Sequence, residues 1–229
     1  MKILIASPGV KEIKLLRDKL NFKYFKDKNF SSYSLGKLNV DILVTGYGSV
    51  FMTYNLTKIF QVESYDLAIN VGLAKSYDYF LEIGYVVNVV QDQFADLGFE
   101  YKGNIYSLWD NEMIDLNSYP FIDDVLNNIG DFELEEVERL PKVKAITLNT
   151  LYSTFENVEK FREKYNPDIE TMEGAAFFFV CLSEQVSFLQ IRAISGFADI
   201  HNVENWNLPI ALENLSDTIF SILNELNVR

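Results

Sequence analysis

Short, almost wholly apolar runs recur along the chain, and they constrain its fold more than any other feature of the sequence. The runs with the length of strands are KILIA (2–6), VDILVTG (40–46), DLAINVG (66–72), GYVVNVVQ (84–91), VKAITLN (143–149) and SFLQIRAIS (187–195). Most of them lack the polar alternation of a half-exposed strand, which is typical of strands covered on both faces. The sequence therefore predicts a central, mostly parallel twisted sheet.

Helical patterns separate these runs and cover residues 10–20, 50–62, 154–164, 172–184 and 208–226. Strands that alternate with helices of this length place helices on both faces of the sheet. We therefore predict an α/β fold, a three-layer sandwich. A chain of 229 residues with 48% hydrophobic content can bury one substantial core, so we expect one domain, 1–229.

Residues 97–140 are less regular than the rest of the chain. They include the acidic stretch DFELEEVE and show no repeat or low-complexity bias. We interpret this segment as a solvated excursion from the core.

The charge of the chain bears on its partners. The formal net charge is -13, and no Lys/Arg cluster offsets it, so a phosphate backbone would be repelled. We therefore expect no nucleic-acid partner.

Cysteine and histidine are nearly absent, which bears on redox state and metals. Cys181 and His201 are the single cysteine and the single histidine, so neither an internal disulfide nor a zinc site is expected. The longest apolar run, AAFFFVCL, is far shorter than the roughly 18 residues of a spanning helix, and MKILIAS is too short for a signal-peptide core. We expect a cytoplasmic protein with no metal and no membrane segment.

Glycine-containing segments follow several of the predicted strands. They are SPGVKEI, TGYGSV, NVGLAKS and AISGFAD, and TLNTLYS follows another strand while TMEGAA opens a helix. Ligands of parallel sheets bind beyond the carboxyl ends of the strands, and glycine lets the backbone approach a ligand closely. Each motif alone is weak. The GYG of residues 46–48, for example, is more often a tight turn than a binding loop.

Taken together, the order and spacing of these motifs resemble the nucleoside phosphorylase and nucleosidase superfamily over nearly the whole chain. Within it, the stretches NPDIETMEGAAFFFVCL, LQIRAIS and ENWNLPIALENL are most similar to the futalosine hydrolases. The next most similar group is the methylthioadenosine/S-adenosylhomocysteine nucleosidases. The resemblance implies an enzyme that hydrolyses the N-glycosidic bond of a purine nucleoside, needs no cofactor, and forms a homodimer.

The resemblance also implies catalytic residues. Glu173 would accept hydrogen bonds from the ribose hydroxyls, Met172 would pack against the sugar, and Glu12 would be the general base for water. Cleavage through a ribosyl cation requires fixed negative charge and a base, so these residue types suit the chemistry. The alternatives are a carboxylate favoured by a helix dipole at Glu173 and a solvated glutamate at Glu12.

The purine pocket that the resemblance implies involves six residues. They are Leu151 and Tyr152, the turn Gly72, Leu73 and Ala74, and Trp206, whose ring could stack on the base. The alternative is ordinary packing for Leu151 and Tyr152 and a helix-start anchor for Trp206.

Two positions depart from the family pattern. Gly196 stands where adenine nucleosidases have aspartate and futalosine hydrolases usually have asparagine, so the usual partner of the leaving purine is missing. Ser195 or Asp199 could hold a water in its place, although Asp199 could equally cap the loop. Lys75 stands where glycine is usual, and we expect it to be exposed, with contact to an anionic substrate group as the alternative.

Three other functions stay open at this point. A phosphorylase would need arginines that clamp an anion, and none follows the first three predicted strands. A non-catalytic nucleoside-binding protein would explain Gly196, and it would bind a nucleoside without releasing the base. A structural or interaction protein would bind no nucleoside at all.

Overall fold

The computed structural model describes residues 1–128, 130, 133–152, 154–198 and 207–229. Its strands are β1 (Lys2–Ser7), β2 (Asn21–Asp27), β3 (Phe30–Leu35), β4 (Leu38–Val44), β5 (Leu67–Ser76), β6 (Val86–Phe94), β7 (Gly98–Tyr101), β8 (Asn104–Ser107), β9 (Leu126–Asn127), β10 (Lys142–Thr147), β11 (Ile169–Thr171) and β12 (Phe188–Phe197). Its helices are α1 (Val10–Asp18), α2 (Ser49–Phe60), α3 (Glu135–Glu138), α4 (Phe155–Tyr165), α5 (Gly174–Ser183) and α6 (Leu208–Val228).

The main sheet is mixed, and its strands follow the order β11-β10-β6-β12-β5-β1-β4-β3-β2, with β9 paired to β6. Parallel pairs join β1 to β4 and β5, β12 to β5, and β10 to β6 and β11. The pairs β2–β3, β3–β4, β11–β5, β12–β6 and β6–β9 are antiparallel. The predicted α/β fold is confirmed, but a mostly parallel sheet is not what the structure has. Two short hairpin connections at one edge force antiparallel pairing there.

Every predicted strand and helix coincides with an observed one. The predicted strands correspond to β1, β4, β5, β6, β10 and β12, and the predicted helices correspond to α1, α2, α4, α5 and α6. The strand β2 was missed because its sequence, NFKYFKD, mixes charged and aromatic residues and is exposed along its whole length.

The core lies on both faces of the sheet. On one face, Met52 of α2 and Phe177 of α5 pack against the strands. On the other face, Ile13 of α1 and Leu215 of α6 do the same. The helices therefore form two outer layers around the sheet. Of the helices in the described ranges, none is both long and apolar enough to cross a membrane.

The interpretation of residues 97–140 as a solvated excursion is wrong in part. The hairpin of β7 and β8 is largely exposed, as expected. Trp109, Phe121 and Leu126, however, are buried in the same cluster as α5, and Leu134 is buried on the opposite face. The acidic residues between them hid this apolar contribution in the sequence pattern.

Candidate active site

A cavity of about 240 Å³ lies where several strands of the main sheet end and helices α1 and α5 begin. It contains most of the residues that the resemblance singled out. The predicted site residues that line it are Glu12, Leu73, Ala74, Leu151, Met172, Glu173 and Ser195. Segments far apart in the sequence therefore meet at one place, as parallel strands predict.

The other predicted site residues lie elsewhere or are not described. Gly196 is buried within β12, and the ring of Tyr152 packs on Phe161, with 5.0 Å between the ring centroids. Asp199 and Trp206 lie outside the described residues.

The prediction of a turn at Gly72, Leu73 and Ala74 is wrong, because all three lie within strand β5. This strand continues to Ser76 since both of its neighbours, β12 and β11, extend alongside it. Gly72 faces Arg192, and a Cβ atom at this position would clash with the guanidinium group. The glycine therefore leaves room for the buried Arg192 side chain and is not part of a turn.

Glu173 is the N-cap residue of α5, but its side chain makes no capping hydrogen bond to that helix among the described residues. Its Oε1 atom accepts a hydrogen bond of 2.8 Å from the backbone N–H of Gly48, in the loop between β4 and α2. Gly48 has a φ of 93°, a conformation that favours glycine. The GYG segment therefore does more than turn the chain, because it orients a carboxylate that is only 3% exposed.

Arg192, a buried charged residue next to Glu173, was passed over in the sequence analysis. It is 0% exposed, and its Nη1 atom lies 3.9 Å from Oε2 of Glu173. None of its three guanidinium nitrogens has a hydrogen-bond partner among the described residues. Buried donors of this kind are normally satisfied, so they point to an oxygen atom supplied by water or a ligand. A signal was present in the sequence, because an arginine interrupts the apolar run SFLQIRAIS.

Burial and charge oppose each other in the Glu173–Arg192 pair. Removal from water raises the pKa of Glu173, and the Arg192 guanidinium lowers it by a smaller amount. Removal from water likewise lowers the pKa of Arg192, whereas Glu173, Asp92 and Glu12 raise it. The guanidinium thus faces more than one carboxylate, and this part of the site carries an excess of negative charge when the carboxylates are ionised.

Glu12 is buried beside the same cavity, with 8% of its surface exposed. The Tyr47 hydroxyl donates a hydrogen bond of 3.2 Å to its Oε1, whereas its Oε2 has no hydrogen-bond partner in the described part of the chain. Burial, together with the charges of Glu12 and Glu173, raises the pKa of Tyr47 to about 12. The phenol therefore stays protonated and donates to the carboxylate. The solvated-glutamate alternative for Glu12 is wrong.

Gly9 makes room for this pair of side chains. A Cβ atom at Gly9 would clash with both the Tyr47 hydroxyl and the Glu12 carboxylate. Tyr47 and Gly9 were not predicted as site residues, although each lies in one of the glycine-containing segments that follow a strand.

Comparison with known proteins identifies the family of the chain. A family model described as the phosphorylase superfamily matches residues 2–224. The chain belongs to this superfamily. Within the superfamily, it is 26% identical over 240 residues to the 5'-methylthioadenosine/S-adenosylhomocysteine nucleosidase of Geobacillus sp. (strain WCH70), and the match covers 99% of each chain.

Solved structures of the phosphorylase superfamily show the same fold. Futalosine hydrolase of Helicobacter pylori strain 26695 has a TM-score of 0.83 at 17% identity, and the match covers 98% of both chains. The 5'-methylthioadenosine/S-adenosylhomocysteine nucleosidase of Neisseria meningitidis, in complex with methylthio-immucillin-A, has a TM-score of 0.81 at 20% identity and covers 97% of this chain and 98% of its own. These relatives are nucleosidases, as the resemblance implied.

Proposed function

We propose that the protein is a nucleosidase that hydrolyses the N-glycosidic bond of a purine nucleoside, with futalosine as its substrate. One observation carries the proposal. A buried carboxylate, Glu173, borders a cavity that also contains the buried carboxylate of Glu12. A second candidate function, the hydrolysis of methylthioadenosine or S-adenosylhomocysteine, is favoured by the Geobacillus relative.

Glu173 would stabilise the positive charge that develops on the sugar. Breaking the bond between C1′ and the purine leaves an oxocarbenium-like ribosyl group, and a fixed negative charge in a dry site lowers the energy of that state. The Gly48 N–H holds one oxygen of Glu173, and its other oxygen lies near Arg192. Met172, which also lines the cavity, would pack against the sugar.

Glu12 would accept a proton from the attacking water. Because Tyr47 occupies Oε1, the unpartnered Oε2 is the atom available to a water molecule in the cavity. The unpartnered donors of Arg192 would bind the oxygen of the same water and hold it in place. Each of the three side chains then has one task in the attack on C1′.

The charge around Arg192 favours hydrolysis over phosphorolysis. A phosphate site needs several cationic donors in a fork geometry. Arg192 instead faces Glu173, and the carboxylates of Asp92 and Glu12 also raise its pKa. A phosphate ion placed there would meet more negative than positive charge.

The choice of futalosine rests on the segments TMEGAAFF and ENWNLP, which resemble futalosine hydrolases. On this proposal the protein acts in menaquinone biosynthesis, where futalosine is hydrolysed. The homodimer, the cytoplasmic location and the single domain stay predictions.

The proposal is tested by offering the purified protein futalosine, methylthioadenosine, S-adenosylhomocysteine and inosine, each with and without phosphate. We expect futalosine to release hypoxanthine fastest and at a rate that phosphate does not change. Carrying out the reaction in heavy-oxygen water should place the label on the sugar product, because the water oxygen forms the new bond to C1′.

Other outcomes assign other functions. Faster turnover of methylthioadenosine would support the second candidate, and a sugar phosphate that forms only with phosphate present would identify a phosphorylase. Calorimetric binding of a nucleoside without any base release would identify a binding protein.

Replacing Gly72 by alanine is expected to lower turnover by roughly 10²-fold, because the new Cβ atom displaces the Arg192 guanidinium that would hold the water. Turnover of the fastest substrate and the thermal unfolding midpoint would be measured together. The control is Gly130→Ala, an exposed glycine at which an added Cβ atom would contact only the side chain of Asn128 among the described residues. Wild-type turnover in a folded Gly72→Ala protein would mean that Arg192 has no part in the reaction.

A further inference from the structure

A second cluster of charged side chains borders the same cavity and has no part in the steps above. Lys75 and Glu170 both line the cavity, and they are 8% and 2% exposed. The Nζ atom of Lys75 lies 3.8 Å from Oε1 of Glu170. The expectation that Lys75 is exposed is therefore wrong, because a buried carboxylate on the neighbouring strand accompanies it.

The strand register explains why Lys75 is held at this point. In the antiparallel pair of β5 and β11, Lys75 lies directly opposite Glu170. In the pair of β5 and β12, the residue opposite Lys75 is Gly196, just after a bulge in β12. Residues opposite each other on neighbouring strands project to the same face of the sheet. Lys75 is therefore flanked by a carboxylate on one side and by a residue without a side chain on the other.

Glu170 is fixed in its place by a hydrogen bond. The Tyr77 hydroxyl donates to its Oε2 over 2.9 Å, while its buried Oε1 has no hydrogen-bond partner among the described residues. Burial raises the pKa of Glu170, and the nearby Lys75 lowers it by a smaller amount. Burying a carboxylate costs free energy, and this one is paired with a lysine at the edge of a cavity. Such a pair indicates that the ammonium group of Lys75 has a function in the cavity.

One task of the proposed reaction has no residue assigned to it so far among the residues that the structure describes, which do not include Asp199. A departing purine takes the electron pair of the broken bond and needs a proton or a strong hydrogen bond at a ring nitrogen. Glu12 and Glu173 would serve the water and the sugar. The Ser195 hydroxyl already donates to the carbonyl oxygen of Ala74, over 3.1 Å. Gly196 has no side chain to contribute, whereas Lys75 next to it carries donors.

We propose that Lys75 is the catalytic acid that protonates the departing purine and that Glu170 positions its ammonium group. This assignment rests on the proposed nucleosidase function. In the step, the bond from C1′ to the purine nitrogen breaks and its electron pair stays on the purine, which takes a proton from Nζ of Lys75. The water oxygen bonds to C1′ and its proton passes to Glu12. Return of that proton to Lys75 through solvent restores both residues.

The test compares two leaving groups in Lys75→Met. One substrate is the purine nucleoside that the wild-type protein cleaves fastest, and the other is 4-nitrophenyl β-ribofuranoside, whose leaving group departs without a proton. We expect kcat/KM to fall by roughly 10² to 10³ on the nucleoside and by less than about tenfold on the nitrophenyl riboside. Lys144→Met, which replaces an exposed strand lysine in the same way, should change neither rate.

Two further variants keep the assignment testable if Lys75→Met fails to fold. Lys75→Arg keeps the cation but is a far weaker acid, so it should lose more activity on the nucleoside than on the nitrophenyl riboside. Glu170→Gln should show the same selective loss, because it removes the charge that positions Lys75. Thermal unfolding is measured for each variant.

The outcomes separate this assignment from the proposed function. Equal losses on both substrates in a folded Lys75 variant would overturn the role of Lys75 and leave the nucleosidase function standing. Failure of the wild-type protein to release base from any nucleoside would overturn both.

Discussion

Replacing Glu173 by glutamine is expected to lower turnover by roughly 10³-fold while the fold stays intact. The amide keeps the shape of the side chain, but it has no negative charge to oppose the ribosyl cation. It could still accept the hydrogen bond from the Gly48 N–H, so the loop between β4 and α2 should keep its position. The side chain at position 173 is buried next to Arg192, so ions from solvent would not replace the lost negative charge.

The measurement is kcat on the fastest nucleoside, together with circular dichroism and the unfolding midpoint. Glu184→Gln is a matched control, because Glu184 lies at the other end of the same helix and is exposed. Near-normal turnover with an unchanged spectrum would remove Glu173 from the reaction.

The pH dependence of turnover provides a second test of the role of Glu173. Burial raises the pKa of Glu173, so the carboxylate takes up a proton at a pH above the ordinary range of glutamate. Turnover of the wild-type protein is therefore expected to fall on acidification already above that range.

The sequence predicted the centre of this fold better than its edges. Strands β1, β4, β5 and β12 are buried along most of their length, so their apolar runs are visible without any knowledge of their neighbours. The exposed strand β2 offers no such pattern. Its formation depends on pairing with β3, which local sequence does not reveal.

The resemblance to a family singled out two glutamates that line the cavity, whereas contacts that depend on strand register were missed. Glu12 and Glu173 follow the carboxyl ends of strands, and the cavity contains both. The burial of Lys75 depends on Glu170, a residue far away in the sequence that antiparallel pairing brings opposite. Gly72 was assigned to a turn because the guanidinium group for which it leaves room belongs to another strand.

Variants of Arg192 test whether the buried ion pair with Glu173 serves the reaction while lowering the free energy of unfolding. We expect Arg192→Met to lower turnover by roughly 10²-fold, because it removes the donors that would hold the water. In the double variant with Glu173→Leu, neither charge of the buried pair remains. That variant should be inactive and more stable than the wild-type protein by about 1 to 4 kcal/mol, since apolar replacement of a buried ion pair is often stabilising.

Urea unfolding of the wild type, both single variants and the double variant measures the coupling between the two side chains. Each single variant leaves one buried partner behind, so each should gain less stability than the double variant or lose some. Arg139→Met is the control, because its ion pairs to Glu135 and Glu136 are on the surface and contribute about 1 kcal/mol or less. If the double variant unfolds more easily than the wild type, the pair holds the fold together. The unpartnered guanidinium nitrogens of Arg192 would then need an explanation other than the binding of water in the reaction.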